Sequence, residues 1–127
     1  MMASILSVVY QRLTAAVGVQ VSGRIYPLVA PTGAAMPFVV YEPSFDAVRN
    51  LRHEFLDVTI LARAFSSGAA EAVALGDQIA LALDGVEVTP SSLDVVGIVE
   101  LVSSEVLYDE EVYQHVVVFS LGFHREV

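Results

Sequence analysis

The chain has 127 residues, of which 55% are hydrophobic and 17% charged, and its net charge at neutral pH is −9. This length fits one domain, residues 1–127, and so apolar a small protein is expected to contact other chains through part of its surface. The absence of cysteine excludes disulfides and thiolate metal sites, and six arginines without any lysine argue against tight binding of nucleic acid.

The first predicted element is an amphipathic helix. Apolar residues recur at helical spacing from Ile5 to Ala16, only Arg12 interrupts the stripe, and Gly18 marks the end. The apolar run is far shorter than the roughly 20 residues of a membrane span. No basic segment or cleavage site of a signal peptide precedes it. We therefore expect no membrane partner.

An extended arm, residues 24–37, comes next. Pro27, Pro31 and Pro37 forbid a helix, because proline lacks an amide hydrogen and disfavours helical geometry in the residue before it. Pro37 can begin a strand, and the β-branched and aromatic residues 38–41 form the strand that it introduces. The arm is apolar but has no regular period, so we expect it to lie on its own sheet or on an adjacent subunit.

A polar loop is predicted at residues 42–54. Loops of this length in compact domains are often functional, so Phe45, Arg49, Arg52 and His53 are candidate contact residues, although a surface excursion without function remains an alternative. Every second residue from Leu56 to Ala64 is apolar, which predicts a second strand with one face in the core.

A second helix is predicted between a serine N-cap, Ser66 or Ser67, and a stop at Gly85. Gly76 inside this helix costs about 1 kcal/mol relative to alanine, which suggests close packing as compensation. The predicted inward stripe consists mostly of small residues, so that the helix can lie close to a sheet: Ala69, Ala72, Val73, Gly76, Ile79, Ala80 and Leu83.

The last third, residues 95–124, is predicted to be a β-hairpin with a turn at residues 109–111. With Glu110 in the middle of that turn, Leu107 shares a face with Val117, and both faces of the hairpin are apolar. Two apolar faces call for a second cover, which is either a neighbouring subunit or a pair of helices on opposite faces. In this register His115 faces Glu105 as a cross-strand pair.

Motifs of catalysis and metal binding are missing from the sequence. There is no phosphate loop, GxSxG, HExxH or calcium loop, and the three histidines lack ligand spacing. The consecutive acids Asp109, Glu110 and Glu111 cannot converge on one ion, so they are interpreted as a solvated tip. We expect no enzymatic activity, no cofactor and no metal.

Charge is divided unevenly along the chain. Residues 1–53 hold four arginines and two acids, a net +2, whereas residues 54–127 hold thirteen acids and two arginines, a net −11. Such a division suits head-to-tail contacts through which identical subunits close a ring, although a chance distribution of solvated charges explains it equally well. The elements together predict an α+β fold in which a mainly antiparallel sheet of about four strands packs against two helices.

The arm also resembles a known family. Arg-Ile-Tyr-Pro at residues 24–27, Ala-Pro-x-Gly-Ala at residues 30–34 and Pro-Phe-Val-Val-Tyr at residues 37–41 resemble the tail-completion or tail terminator proteins of long-tailed phages and related gene transfer agents. The strand-to-helix passage at residues 58–85 and the closing strand that ends at residues 123–126 resemble that family as well. The likeness covers most of the chain, but only the arm is specific.

The resemblance implies a virion structural protein at the tail-neck junction, assembled in the host cytoplasm. Such a protein caps the head-proximal end of the tail tube, terminates tube growth and forms the docking ring for the capsid neck. The implied partners are further copies in a hexameric ring, the tail tube protein and the head-completion or stopper protein, while DNA passes through without tight binding. The candidate interface residues are Arg24, Tyr26, Pro31, Phe45, Arg49, Arg52, Asp109, Glu110 and Glu111.

Two alternatives to a tail terminator stay open. One is a different neck ring, such as a head-completion, stopper or adaptor protein. The other is a small α+β ligand-binding or enzyme-like domain with a pocket between helix and sheet, which a buried polar cluster would favour. The sequence shows no such cluster at readable spacing.

Overall fold

The computed structural model describes residues 2–45, 57–89 and 95–125. Two helices pack on a curled six-stranded sheet of order β1-β2-β3-β6-β5-β4, in which only β1 and β2 are parallel. The elements are α1 (Met2–Val17), β1 (Ile25–Pro27), β2 (Phe38–Phe45), β3 (Asp57–Ser66), α2 (Ala69–Leu83), β4 (Glu87–Val88), β5 (Val95–Asp109) and β6 (Val112–Arg125).

The predicted α+β class with a mainly antiparallel sheet and two helices is confirmed. The predicted number of about four strands is wrong, because the sheet has six. The two additional strands, β1 and β4, have three and two residues and are too short to show a hydrophobic period. β1 takes up the start of the predicted arm, where it pairs with β2.

Helix α1 follows its prediction closely. Its buried side chains, Ile5, Val9, Leu13 and Val17, recur every fourth residue, so one stripe faces the core. Arg12 lies on the exposed side, and the helix ends one residue before Gly18.

Both helices lie on the same face of the sheet, which we call the inner face. α1 packs on β1 and β2, and α2 packs beside it on β3 and β6. The inner face of β3 is buried at every second residue from Val58 to Ala64, as predicted. The alternative that the helices cover opposite faces is therefore wrong, and no described element covers the other face, which we call the outer face.

A tyrosine pair joins α1 to the inner face of β2. Tyr41 is buried, and its ring centroid lies 6.3 Å from that of the half-exposed Tyr10. Burial raises the pKa of the Tyr41 hydroxyl above its ordinary value, with a smaller contribution from the neighbouring Tyr10. The folded protein therefore favours the neutral form of Tyr41.

Helix α2 differs from its prediction at its start. Its N-cap is Gly68 rather than Ser66 or Ser67, because Ser66 is still part of β3. From there the buried Ser66 hydroxyl accepts a hydrogen bond from the Gly68 amide at 3.1 Å and donates one to Glu71 Oε1 at 2.6 Å. Gly85, with φ of 80°, follows the helix as predicted.

The inward stripe of α2 is rotated relative to the predicted one. Leu75 is buried, whereas Val73 is 41% exposed and Ala69 is exposed. The helix is apolar on most of its circumference, so periodicity alone does not distinguish these positions. The buried residues are Ala72, Leu75, Gly76, Ile79 and Leu83.

Strand β2 continues into the predicted loop at residues 42–54. Pro43 pairs with Ile60, and the strand ends at Phe45. Proline is tolerated there because β1 has already ended at Pro27, so that β2 is locally an edge strand. The rest of that loop, with Arg49 and Arg52, lies outside the described residues.

The hairpin of β5 and β6 has a shorter turn than predicted. Asp109 pairs with Val112, so the turn has two residues, Glu110 and Glu111, with φ of 47° and 66°. Positive φ at both central residues is typical of a type I′ turn, whose twist matches that of the flanking strands in a two-residue hairpin. The register near the turn is therefore shifted by one residue from the predicted one.

An irregularity between Leu101 and Ser103 restores the predicted register farther from the turn. Within the shifted part, His115 pairs with Val106, so the predicted pair with Glu105 is wrong. Leu107 pairs with Gln114 and lies on the outer face, not on the face of Val117 as predicted.

Candidate assembly surfaces

An aromatic row crosses the outer face on three neighbouring strands. Tyr26 of β1 meets Phe38 of β2 edge to face, with ring centroids 6.1 Å apart. Phe38 in turn stacks on Phe65 of β3 at 4.7 Å. Phe65 pairs with Gln114, and Gln114 with Leu107 of β5, so the row continues across the sheet. All five side chains remain partly or largely exposed.

The centre of the outer face is also apolar. Leu61 and Val118 pair across β3 and β6 and are half-buried. Beside them, Arg63 Nη2 lies 2.9 Å from Glu42 Oε1, with side chains 38% and 29% exposed. An ion pair so exposed contributes less than about 1 kcal/mol in a free subunit. Aromatic residues and arginine are both enriched in protein interfaces, and this face carries both.

A cleft of about 290 Å³ lies where the outer face meets the hairpin turn. Apolar side chains form much of it, and the carboxylates of Asp109 and Glu110 add negative charge. The lining residues are Phe65, Leu107, Asp109, Glu110, Val112 and Gln114. The cleft therefore suits an apolar group without negative charge.

One edge of the sheet is incompletely paired. β4 and the segment before it pair with β5 as far as Val99, and Asp84 Oδ1 accepts a hydrogen bond from the Leu101 amide at 3.0 Å. Residues 103–109 of β5 pair only with β6 among the described parts of the chain, and Val102 lies at the irregularity before them. We call residues 102–109 the bare edge. Val102 and Tyr108 on this edge are 61% and 60% exposed.

The part of the arm beyond β1 lies between two fixed ends. Arg24 Nε donates to the Pro37 carbonyl at 3.0 Å, and the Leu28 amide donates to the Tyr41 carbonyl at 2.9 Å. Between these ends Val29 is 76% exposed. The first residues of the arm, Ile25–Pro27, thus pair with the protein's own sheet, as one alternative of the prediction has it, whereas the residues beyond them are mostly exposed. Contact with an adjacent subunit stays a prediction.

The predicted interface residues fall into separate places. Arg24 and Tyr26 lie at the base of the arm, and Pro31 is exposed within it. Asp109, Glu110 and Glu111 are exposed at the hairpin turn as predicted. Phe45 is the last residue of β2, and its side chain lies outside the description, as do Arg49 and Arg52 entirely.

Phe65 and Leu107 are not among the predicted interface residues, although both lie in the aromatic row and line the cleft of the outer face. Phe65 follows Ala64 on a strand of strict alternation, so the sequence already predicts that it lies on the outer face. Its contact with Phe38 depends on strand pairing, which the sequence does not reveal. The outward position of Leu107 depends on the shifted register of the hairpin.

His115 has a structural position. It is 3% exposed and lies against Gly76 of α2, and its Nδ1 is 3.2 Å from the Ala72 carbonyl oxygen, to which it donates when protonated.

Among the residues that the structure describes, no three His, Asp or Glu side chains form a group that could hold a metal ion. No helix in the same residues is long and apolar enough to cross a membrane.

Among the comparisons with known proteins, one identifies the family of this chain and another its fold. The family model described as "Tail completion protein gp17" matches residues 7–122. A chain of the solved structure described as "Virion of native gene transfer agent (GTA) particle" is similar with a TM-score of 0.77 and 19% identity, over 96% of both chains. No match is found among curated protein sequences. At 19% identity the structural likeness shows the fold.

Proposed function

This chain belongs to the tail completion protein family, and from that membership we propose that it caps the head-proximal end of a tail tube. In this proposal several copies, six by the family resemblance, close a ring on the last ring of the tube. The ring presents a different surface to the capsid neck, so no further tube subunit can add. The role is structural rather than catalytic.

The outer face is the observation that supports the proposal. It combines an aromatic row, a half-buried apolar centre and an acidic cleft, and none of the described elements covers it. Extended apolar surfaces of this kind mark contacts with other chains. A cap subunit needs such a surface, because it must bind both its neighbours and the tube. We propose that the outer face becomes covered on assembly.

Tail length is the direct test. Tube protein of the same particle is polymerised with and without the purified chain, and the lengths are measured by electron microscopy. A terminator stops growth and is found at one end of each tube. Unchanged tube lengths with no protein at the ends would contradict the proposal.

The order of assembly separates a terminator from another neck ring. A terminator binds isolated tails before heads are added, whereas a head-completion or stopper protein binds DNA-filled heads first. Native mass spectrometry of the same samples gives the number of copies. Binding to heads alone would favour the other neck proteins.

A charge on the outer face tests its role. Val118→Lys places an ammonium group in the apolar centre, and we expect it to abolish capping of tubes while the circular dichroism of the subunit is retained. Leu81→Lys is the matched control, because Leu81 lies on α2 and is 83% exposed. Normal capping by the Val118 variant would show that the outer face stays free.

The proposal also includes DNA that passes the ring without tight binding. The tip of the hairpin, formed by the end of β5 and the turn, carries Asp109, Glu110 and Glu111, all exposed, and the chain has no lysine. Phosphate contacts need clustered basic side chains, and like charges repel the DNA backbone. A gel-shift titration at low salt should show no retention of double-stranded DNA. Clear retention at low protein concentration would overturn this part of the proposal.

A further inference from the structure

We propose that the arm of one copy packs on the bare edge and the adjoining cleft of the next copy. This inference rests on the proposed ring and names the contact that closes it. The occupant of the bare edge is thus a second copy of this chain, and the contacting segment is the exposed part of its arm, residues 28–36.

The positions in the fold give the contact its direction. The arm leaves the sheet beside β1 and β2, whereas the bare edge belongs to β5, three strands beyond β2 in the sheet order. The two surfaces therefore lie toward opposite sides of one subunit, and each is unlike the other. When two subunits form such a contact between unlike surfaces, one subunit still has an unoccupied arm and the other an unoccupied bare edge. Further copies add until the ring closes.

The two sides differ in net charge. Described residues 2–45, which include the arm, carry Arg12 and Arg24 against Glu42, a net +1. Described residues 84–89 and 95–111, which surround the bare edge, carry seven acids and no basic residue, a net −7: Asp84, Glu87, Glu100, Glu105, Asp109, Glu110 and Glu111. An acidic side that meets itself would be repelled, whereas the arm brings no negative charge to it.

The surfaces also match in polarity. Residues 28–36 contain no charged residue, and Leu28, Val29 and Met36 are 63%, 76% and 38% exposed. The bare edge offers Val106 and Tyr108 on one side of β5, and the cleft offers Leu107 on the other. Pro31 keeps the arm from pairing as a full strand, so the contact is made mainly by apolar side chains.

The absence of native cysteine allows a test by disulfide cross-linking. Single variants Val29→Cys and Tyr108→Cys are mixed and oxidised, and the products are separated without reductant. We expect mixed dimers about tenfold or more above the controls, because residues held in contact have effective concentrations of order millimolar. The double variant should give a ladder that ends at the ring. Val29→Cys mixed with Leu81→Cys, and Val19→Cys mixed with Tyr108→Cys, are the controls, since Leu81 and Val19 are 83% and 92% exposed.

The outcomes separate this inference from the proposed function. Rings that cap tubes but give only control levels of mixed dimer overturn the inference and leave the function standing. Mixed dimers from a protein that never caps tubes support the inference and overturn the function. Dimers of Val29→Cys with itself, in excess of mixed dimers, indicate contact between like surfaces and overturn the head-to-tail arrangement. A folded protein without rings or mixed dimers, in solution and on tubes, overturns the inference.

Discussion

Replacing Gly76 by alanine should destabilise the subunit, although the same exchange stabilises most helices. Gly76 lies in the interior of α2 and is buried against the ring of His115. A Cβ built on Gly76 would lie less than 3.0 Å from three atoms of that ring, closer than real Cβ contacts allow. The imidazole would have to move and would lose its hydrogen bond to the Ala72 carbonyl.

The opposing contributions can be compared. Alanine is favoured over glycine in a helix interior by about 1 kcal/mol. Overpacking of a buried site costs about 1 to 3 kcal/mol, and a lost hydrogen bond costs about 1 kcal/mol more. We therefore expect Gly76→Ala to lower the free energy of unfolding by about 1 to 3 kcal/mol.

A double-mutant cycle isolates the cause. In a His115→Ala background the ring is gone, so Gly76→Ala should now stabilise the protein by up to about 1 kcal/mol. Urea unfolding followed by circular dichroism measures all four proteins. If Gly76→Ala is at least as stable as the wild type, or if its effect keeps the same sign in both backgrounds, the reasoning from this contact is refuted.

Three further predictions concern stability. Exchange of Glu110 and Glu111 for Asn and Gly should raise the free energy of unfolding by about 1 kcal/mol, because the replacements adopt positive φ more readily, and an unchanged urea midpoint would contradict this. Ser66→Ala should cost about 1 to 2 kcal/mol in thermal unfolding, whereas the exposed Ser67→Ala should be near neutral. Because the folded protein raises the pKa of Tyr41, the neutral Tyr41 hydroxyl adds to the free energy of unfolding. This contribution is complete below the ordinary tyrosine pKa of about 10 and is lost as the pH rises through the raised value. The Tyr41→Phe variant should therefore lose less stability than the wild type over that alkaline range. Equal losses in the two proteins would contradict the attribution of the loss to Tyr41.

The sequence predicts best where one face of an element is buried along its full length. α1 and β3 are such elements, and the alternation of β3 from Val58 to Ala64 identifies its inner face correctly. β1 and β4 are formed by pairing with longer neighbours, so their few residues carry no signal of their own. The predicted N-cap of α2 is wrong because Ser66 remains in β3, while its hydroxyl still bonds to the Gly68 amide and to Glu71 in the first turn.

The candidate site was predictable only in part. Tyr26 and the acids of the hairpin turn are recognisable locally, but the row from Tyr26 to Phe65 arises from the pairing of three separate strands. The face on which Leu107 lies depends on the positive φ of Glu110 and Glu111 in the turn. Glutamate rarely adopts positive φ, so the sequence does not indicate this turn. A one-residue change in the turn moves the side chains of β5 between the turn and the irregularity at Leu101 and Ser103 to the opposite face.

Glu105 affects how free subunits, outside any assembly, can pair through their bare edges. An unpaired strand can template the growth of fibrils from identical chains, and an apolar one is especially prone to do so. Glu105 lies near the middle of residues 102–109 and is exposed. Two such strands that pair antiparallel about this residue bring their carboxylates directly opposite each other, which is unfavourable. The side chain thus disfavours edge-to-edge pairing of identical subunits, and it does not repel a partner segment that has no charge.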